Sequence, residues 1–191
     1  MKVYLDTGLF LDYLAPRGHA GYFLRITDRR GRTVDQLSKD AAGCLIEIGS
    51  KHEGVTSCLT LYEVENAMYE KLKDLSSGLS DLHRYLITSA RSLTVQVLSM
   101  VKYHKIRVLD LSQVIFQKTV SEIELQSRAI EAADSIHIAT AIVHDVDLII
   151  STDDHMLDLN GVFANSSGGQ IQCVDTDDAL LVLQQKSSRF R

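Results

Sequence analysis

The chain opens on a short β-prone run, Lys2–Leu5 (KVYL), which ends in Asp6 and gives way to apolar positions at helical spacing through Gly8–Leu14. That change of period predicts a strand feeding directly into a helix, which Pro16 and Gly18 stop. Val34–Lys51 carries Leu37, Ala41, Leu45 and Ile48 at intervals of three and four, the apolar stripe of a second helix. Val55–Ser57 predicts a second strand. Leu59–Asp74, with Leu61, Val64, Ala67, Met68 and Leu72, predicts another helix. Between Leu79 and Lys105 the positions Leu82, Leu86, Leu93, Val97 and Val101 describe a long amphipathic helix whose stripe is read as core rather than as a partner groove. Arg107–Leu109 reads as a third strand, Val114–Ala132 as a helix and Asp134–His144 (DSIHIATAIVH) as another. Val146–Ser151 is almost continuously apolar, the signature of a strand covered on both faces. A strand at Ile171–Val174, a helix at Asp177–Gln185 and a polar tail ending Arg189–Arg191 close the chain.

Strands alternating with helices imply an α/β architecture, a mostly parallel sheet between helical layers. No internal repeat is present. The one flexible-looking stretch, Ser166–Gly169, is too short for a domain linker, so residues 1–191 are read as a single domain. In sheets of this kind the functional crevice lies beyond the carboxyl ends of the strands. Asp6 follows the first strand and the pair Asp153–Asp154 follows the Val146–Ser151 run, so both fall on one rim.

Composition narrows the function classes. A net charge of −5 and a pI near 5.8 argue against a protein that holds long nucleic acid by general electrostatic attraction. A nuclease needs a local basic surface instead, and Arg25, Arg29, Arg30 and Arg32, gathered around Gly31, could supply phosphate contacts; the alternative is a solvated loop with ordinary surface arginines. Cys44, Cys58 and Cys173 stand far apart without a C-x-x-C pair, which suggests neither a disulfide framework nor a zinc site but reduced, buried residues. No apolar stretch approaches the ~20 residues needed to span a bilayer. With no leader-like N-terminus, a cytoplasmic location without membrane association is expected.

The acidic residues carry the chemistry. Taken singly, Asp6, Asp134 and Asp153 or Asp154 could each serve as a helix cap or turn former. Glu63 is different: it lies one turn inside a helix amid apolar neighbours, where a carboxylate is either paired or bound to something. Several carboxylates drawn together raise each other's pKa unless a cation compensates them. An all-oxygen set selects a hard ion such as Mg²⁺ or Mn²⁺.

Four separated segments also occur in a recognisable order: VYLDTGLFLDYL, TSCLTLYEVENAM, AADSIHIATAI and LIISTDDHML. Together they resemble the PIN-domain nucleases, and especially the toxin ribonucleases of the VapC type. The resemblance covers residues 1 to about 160. It implies a three-layer α/β/α sandwich with Asp6, Glu63, Asp134 and Asp154 as both catalytic and metal-binding residues, Thr7 and Thr152 as hydroxyls beside them, and Asp153 in the variable place of the Thr-x-Asp pattern. It further implies a Mg²⁺- or Mn²⁺-dependent endoribonuclease acting on RNA, an antitoxin protein as partner where the toxin branch applies, and a homodimer. Ser135 stands where the family most often has alanine. A basic insertion near residues 17–33 and a strand-helix extension from about residue 170 depart from the compact toxins. Two alternatives stay open: a PIN nuclease acting in RNA processing or on DNA, and a non-catalytic module that binds RNA or a protein. His137 is expected to pack and hydrogen-bond locally, His155 to be solvent-exposed, and Asp12 is a minor candidate for the cleft.

Overall fold

The structure, a computed structural model, describes residues 1–15, 28–75 and 82–188. Five parallel strands form one sheet in the order β3-β2-β1-β4-β5: β1 (Lys2–Leu5), β2 (Glu53–Ser57), β3 (Arg107–Leu109), β4 (Leu148–Ile150) and β5 (Gln172–Val174). Among the described residues the sheet is all-parallel, so the expectation of a mostly parallel sheet is met. Its helices are α1 (Thr7–Leu14), α2 (Val34–Lys51), α3 (Cys58–Leu75), α4 (Leu82–Tyr103), α5 (Gln113–Ser121), α6 (Ile123–Ser127), α7 (Ala132–Val143), α8 (Asp154–Leu157) and α9 (Thr176–Ser188).

Strand alternation sorts the core into two layers. Val3 and Leu5 of β1, with Leu148 and Ile150 of β4, face a cluster built from α1, α2, α3, α4 and α9. Tyr4 and Ile149, one residue out of phase, face a second cluster with Leu125 of α6, Ile138 and Ile142 of α7 and Met156 of α8. Both faces of the central strands are therefore dry, which is why β4 reads as a continuous apolar run. The stripes predicted for α2 and α4 are the buried ones: Leu37, Ala41, Leu45 and Ile48, then Leu86, Leu93, Val97 and Val101. Each fully buried Leu or Ile contributes about 1.5–3 kcal/mol relative to exposure.

The stretch expected as one helix, Val114–Ala132, is two helices and a turn. Only Ile115 and Leu125 are buried in it. Ile115 is buried from α5 and Leu125 from α6. The chain breaks at Glu122, whose backbone is extended (φ −83, ψ 104), and Ala129 takes a positive φ of 52 before α7 begins. Cys44 and Cys173 are buried as expected, but Cys58 is exposed, with its thiol 3.6 Å from the Asp110 carboxylate.

The arginine-rich segment is also corrected in part. Arg25 lies outside the described residues, as do Pro16, residues 17–27 of the expected basic insertion, Leu79 and the terminal Arg189–Arg191. Arg29 and Arg32 are not solvated and do not face open surface. Arg29 donates to Asp12 and Asp175, and Arg32 to Asp40 and Asp175. Asp12 is fully buried and Asp175 is 2% exposed, so α1, α2 and the end of β5 are tied through these two guanidinium groups. Asp12 thus points to this ion network rather than to the cleft. Burial pushes the Asp175 carboxyl up, but the Thr176 N–H, Arg29 and Arg32 outweigh that and hold it below the usual carboxylate range. Among the described residues no helix is long and apolar enough to cross a membrane.

Candidate metal centre

The site forms where the order of strands changes direction. The chain goes from β1 to β2 and β3 on one side, and β4 returns to pair with β1 on the other, which opens a crevice at the carboxyl ends of β1 and β4. Gly8, in the first turn of α1, makes the two ends meet. A Cβ there would lie 1.8 Å from Thr152 Oγ1, so only glycine lets α1 start against the segment that follows β4.

Asp6 ends β1 and is 6% exposed. Its Oδ1 accepts from the Thr7 backbone N–H at 2.7 Å and caps α1, while Oδ2 accepts from Ser151 Oγ at 2.6 Å. The helix-cap reading of Asp6 is correct, and the same carboxylate also lines the crevice. Glu63 reaches in from α3: its Oε2 accepts from Thr7 Oγ1 at 2.5 Å and meets His137 Nε2 at 3.0 Å. Burial pushes the Glu63 carboxyl up, but the contacts with His137 and Thr7 prevail and hold it below its ordinary value.

His137 is the residue that sequence reasoning underestimated. It stands on α7, 2% exposed, with Nε2 3.6 Å from Asp6 and Nδ1 2.6 Å from the Tyr4 hydroxyl. Tyr4 in turn donates to Ser57 Oγ at 2.8 Å and lies 3.2 Å from Thr60 Oγ1. Burial drives the Tyr4 pKa upward, so it remains a phenol and a fixed partner for the imidazole. Burial alone would lower the His137 pKa; its bond to Glu63 and the field of Asp6 reverse that and raise it. The local packing expected of His137 is real, and it holds the ring against the acids. Ligand atoms of Asp6, Glu63 and His137 all lie within 4.8 Å of one another, a spacing that could hold a metal ion.

Asp134 occupies the first turn of α7, with Glu131 rather than Asp134 at the N-cap. It lines the same cleft of about 340 Å³, as does Asp153, outside the tight group of three. Burial, then the negative charges of Asp153 and Asp6, raise the Asp134 pKa to about 6 despite the opposing effect of His137. Asp153 caps α8 through the His155 N–H. Asp154, the residue selected by the Thr-x-Asp pattern, is not among the lining residues of this cleft. Its side chain is 80% exposed and pairs with Arg30. The structure therefore gathers Asp6, Glu63, Asp134 and Asp153, with His137, and sets Asp154 on the rim outside.

No protein-family model matches the chain, and no curated protein matches it by sequence. Among solved structures, a chain in the crystal structure of VapBC2 from Rickettsia felis, bound to a DNA fragment from the promoter, is similar to it. That match has a TM-score of 0.52 at 12% identity and covers 91% of this chain and 98% of the other. At that identity the likeness bears on the fold, which is a PIN-like three-layer α/β/α arrangement around an all-parallel sheet.

Proposed function

We propose that the chain is a divalent-metal-dependent nuclease that hydrolyses RNA phosphodiester bonds. One observation carries the reading: carboxylates from four different elements converge at the β1/β4 crevice, with Asp6 and Glu63 within ligand distance of each other and of His137. The residues fit a cation. Asp134 sits beside Asp153 and Asp6 with its pKa raised to about 6 by burial and by their charges, the situation a bound positive ion relieves. Carboxylate oxygens with a single imidazole select Mg²⁺ or Mn²⁺ over softer metals. Asp6, Glu63 and Asp134 would hold the ion, with Asp153 in place of Asp154 as the fourth acid and His137 beside Glu63. When bound, such an ion binds a phosphate oxygen, lowers the pKa of a water nucleophile and stabilises the leaving oxygen.

The chain's own residues do the positioning. Ser151 and the Thr7 N–H fix both oxygens of Asp6. Thr7 and His137 fix Glu63, and Tyr4, anchored to Ser57, fixes the ring of His137. Because each carboxylate is held before substrate arrives, little reorganisation is left for the reaction itself. No covalent intermediate is required, and no cysteine lines the cleft among the described residues. The likeness in fold to a chain of VapBC2 favours the VapC-type branch, in which an antitoxin protein would be the partner.

The test is cleavage of a mixed panel of RNA and single-stranded DNA by wild type and Asp134→Asn in Mn²⁺, Mg²⁺ or EDTA. Metal-dependent RNA cutting that disappears in the variant is expected. No cutting by folded, inhibitor-free wild type would replace the nuclease with a binding module.

A further inference from the structure

An acidic cleft must still hold a polyanion, and we propose that Arg30 is the phosphate-binding residue that does so, kept in place by Asp154 until a nucleic-acid strand displaces that carboxylate. The inference rests on the nuclease reading above and names the contact by which that site grips its substrate.

The geometry begins with a two-residue turn. Arg29 and Arg32 exchange both backbone hydrogen bonds, 3.1 and 3.0 Å, and the two residues between them take positive φ, 50 for Arg30 and 73 for Gly31. This matches the mirror-image hairpin turn, in which both central residues are left-handed; a non-glycine residue is uncommon there. Neither flanking arginine is free to contact substrate, because Arg29 and Arg32 are bound to the buried Asp12 and Asp175. Those ion pairs fix the turn on both sides and leave Arg30 at its tip, with a side chain 47% exposed and Nη2 against Asp154.

The location of Asp154 gives the tip its meaning. Asp153 lines the carboxylate cleft. His155 lines a second cleft of about 280 Å³, together with Arg128, Glu131 and Asp158, and Asp134 lines both. Asp154 lies between Asp153 and His155 in the chain, so the exposed Arg30–Asp154 pair stands next in sequence to a residue of each cleft. A strand occupying both clefts past Asp134 would run close to this pair, since Asp153 and His155 flank Asp154. The planar guanidinium fork suits a phosphodiester as well as a carboxylate. An ion pair this exposed adds little to stability, so exchanging Asp154 for a phosphate costs the fold little. The neighbouring arginines are structural and Arg30 is not, a division that composition alone cannot reveal.

The experiment uses the full chain and measures RNA cleavage against salt for wild type, Arg30→Gln, Arg30→Lys, Asp154→Asn and the double variant Arg30→Gln/Asp154→Asn, with a thermal melt of each. The expected result for Arg30→Gln is a KM raised about tenfold with kcat nearly unchanged, the loss of one charge-assisted contact. Its slope of log KM against log salt should fall by about 0.7, as for one lost single-strand phosphate contact. Asp154→Asn should act in the opposite direction and lower KM, and that gain should vanish in the double variant. Arg30→Lys should recover part of the loss. If Arg30→Gln cuts with an unchanged KM, or if Arg30→Gln and Asp154→Asn shift KM and melting temperature equally and in the same direction, Arg30 is only a partner for Asp154. The inference then fails while the nuclease reading stands. If wild type cuts no RNA with any metal, both fail together.

Discussion

Asp134 should be a residue that the metal-free fold would be better without. Its pKa stands at about 6 against an ordinary 3.8, so the folded protein holds a proton there that the unfolded chain has released. Between those values the native state binds more protons than the unfolded state, and stability falls as pH rises; above about pH 6 the penalty is complete. The shift, 6 minus 3.8, is about two units, at most on the order of 3 kcal/mol at 1.36 kcal/mol per unit. Asp134 is only half-buried, and screening by solvent reduces this to about 1 kcal/mol. Asp134→Asn removes that cost and keeps the side-chain shape, while losing roughly 0.3–1 kcal/mol of favourable interaction with the N-terminus of α7. In EDTA at pH 7.5 the variant should therefore melt up to about 3 °C above wild type, at about 2–4 °C per kcal/mol for a chain of this size. The advantage should shrink steadily from pH 6 to pH 4. Saturating Mg²⁺ should invert the order, since an ion bound at a hundred times its Kd adds about 2.7 kcal/mol to wild type alone. Scanning fluorimetry across pH, with and without metal, measures all three. A variant less stable than wild type in EDTA at neutral pH, or an advantage that grows as pH falls, would refute the charge-repulsion account of this site.

Two further outcomes follow from other parts of the fold. Asp175→Asn leaves Arg29 and Arg32 without their shared buried carboxylate and should cost about 3–5 kcal/mol by chemical denaturation at pH 7. Because the Asp175 pKa is depressed, this difference should be full above the ordinary carboxylate range and disappear as pH falls through the depressed value. Gly8→Ala drives a methyl group into Thr152 and so displaces the segment that carries Asp153; metal-dependent stabilisation and RNA cleavage should both fall, and retention of wild-type cleavage would show that α1 can move away freely.

The acidic set illustrates how far local pattern reaches. Asp6 and Glu63 were legible because each breaks its local context: one ends an apolar strand, the other sits on a largely apolar stretch of helix. The choice between Asp153 and Asp154 was not, since adjacent residues in a tight turn point in different directions and only the turn's geometry decides which faces the crevice. His137 was open to the same ambiguity. Three residues after Asp134 on a helix, it could have packed anywhere along that face, and what gives it meaning is Tyr4, 133 residues away on β1. The arginine cluster suggested a basic surface, yet two of its members face buried aspartates from distant elements.

By itself the sequence determined the alternation of strands and helices, the faces of α2 and α4 that are buried, and the strand ends at which acids would gather. These depend on periodicity, which is a property of neighbours along the chain. Only the tertiary structure decided which acids share the cleft, that His137 joins them, that Val114–Ala132 breaks at Glu122, and that Arg30 alone of the described arginines in its turn pairs with the exposed Asp154. Those outcomes depend on distances between residues far apart in sequence, where a displacement of a few ångströms changes an ion pair into a ligand or a ligand into a solvated side chain.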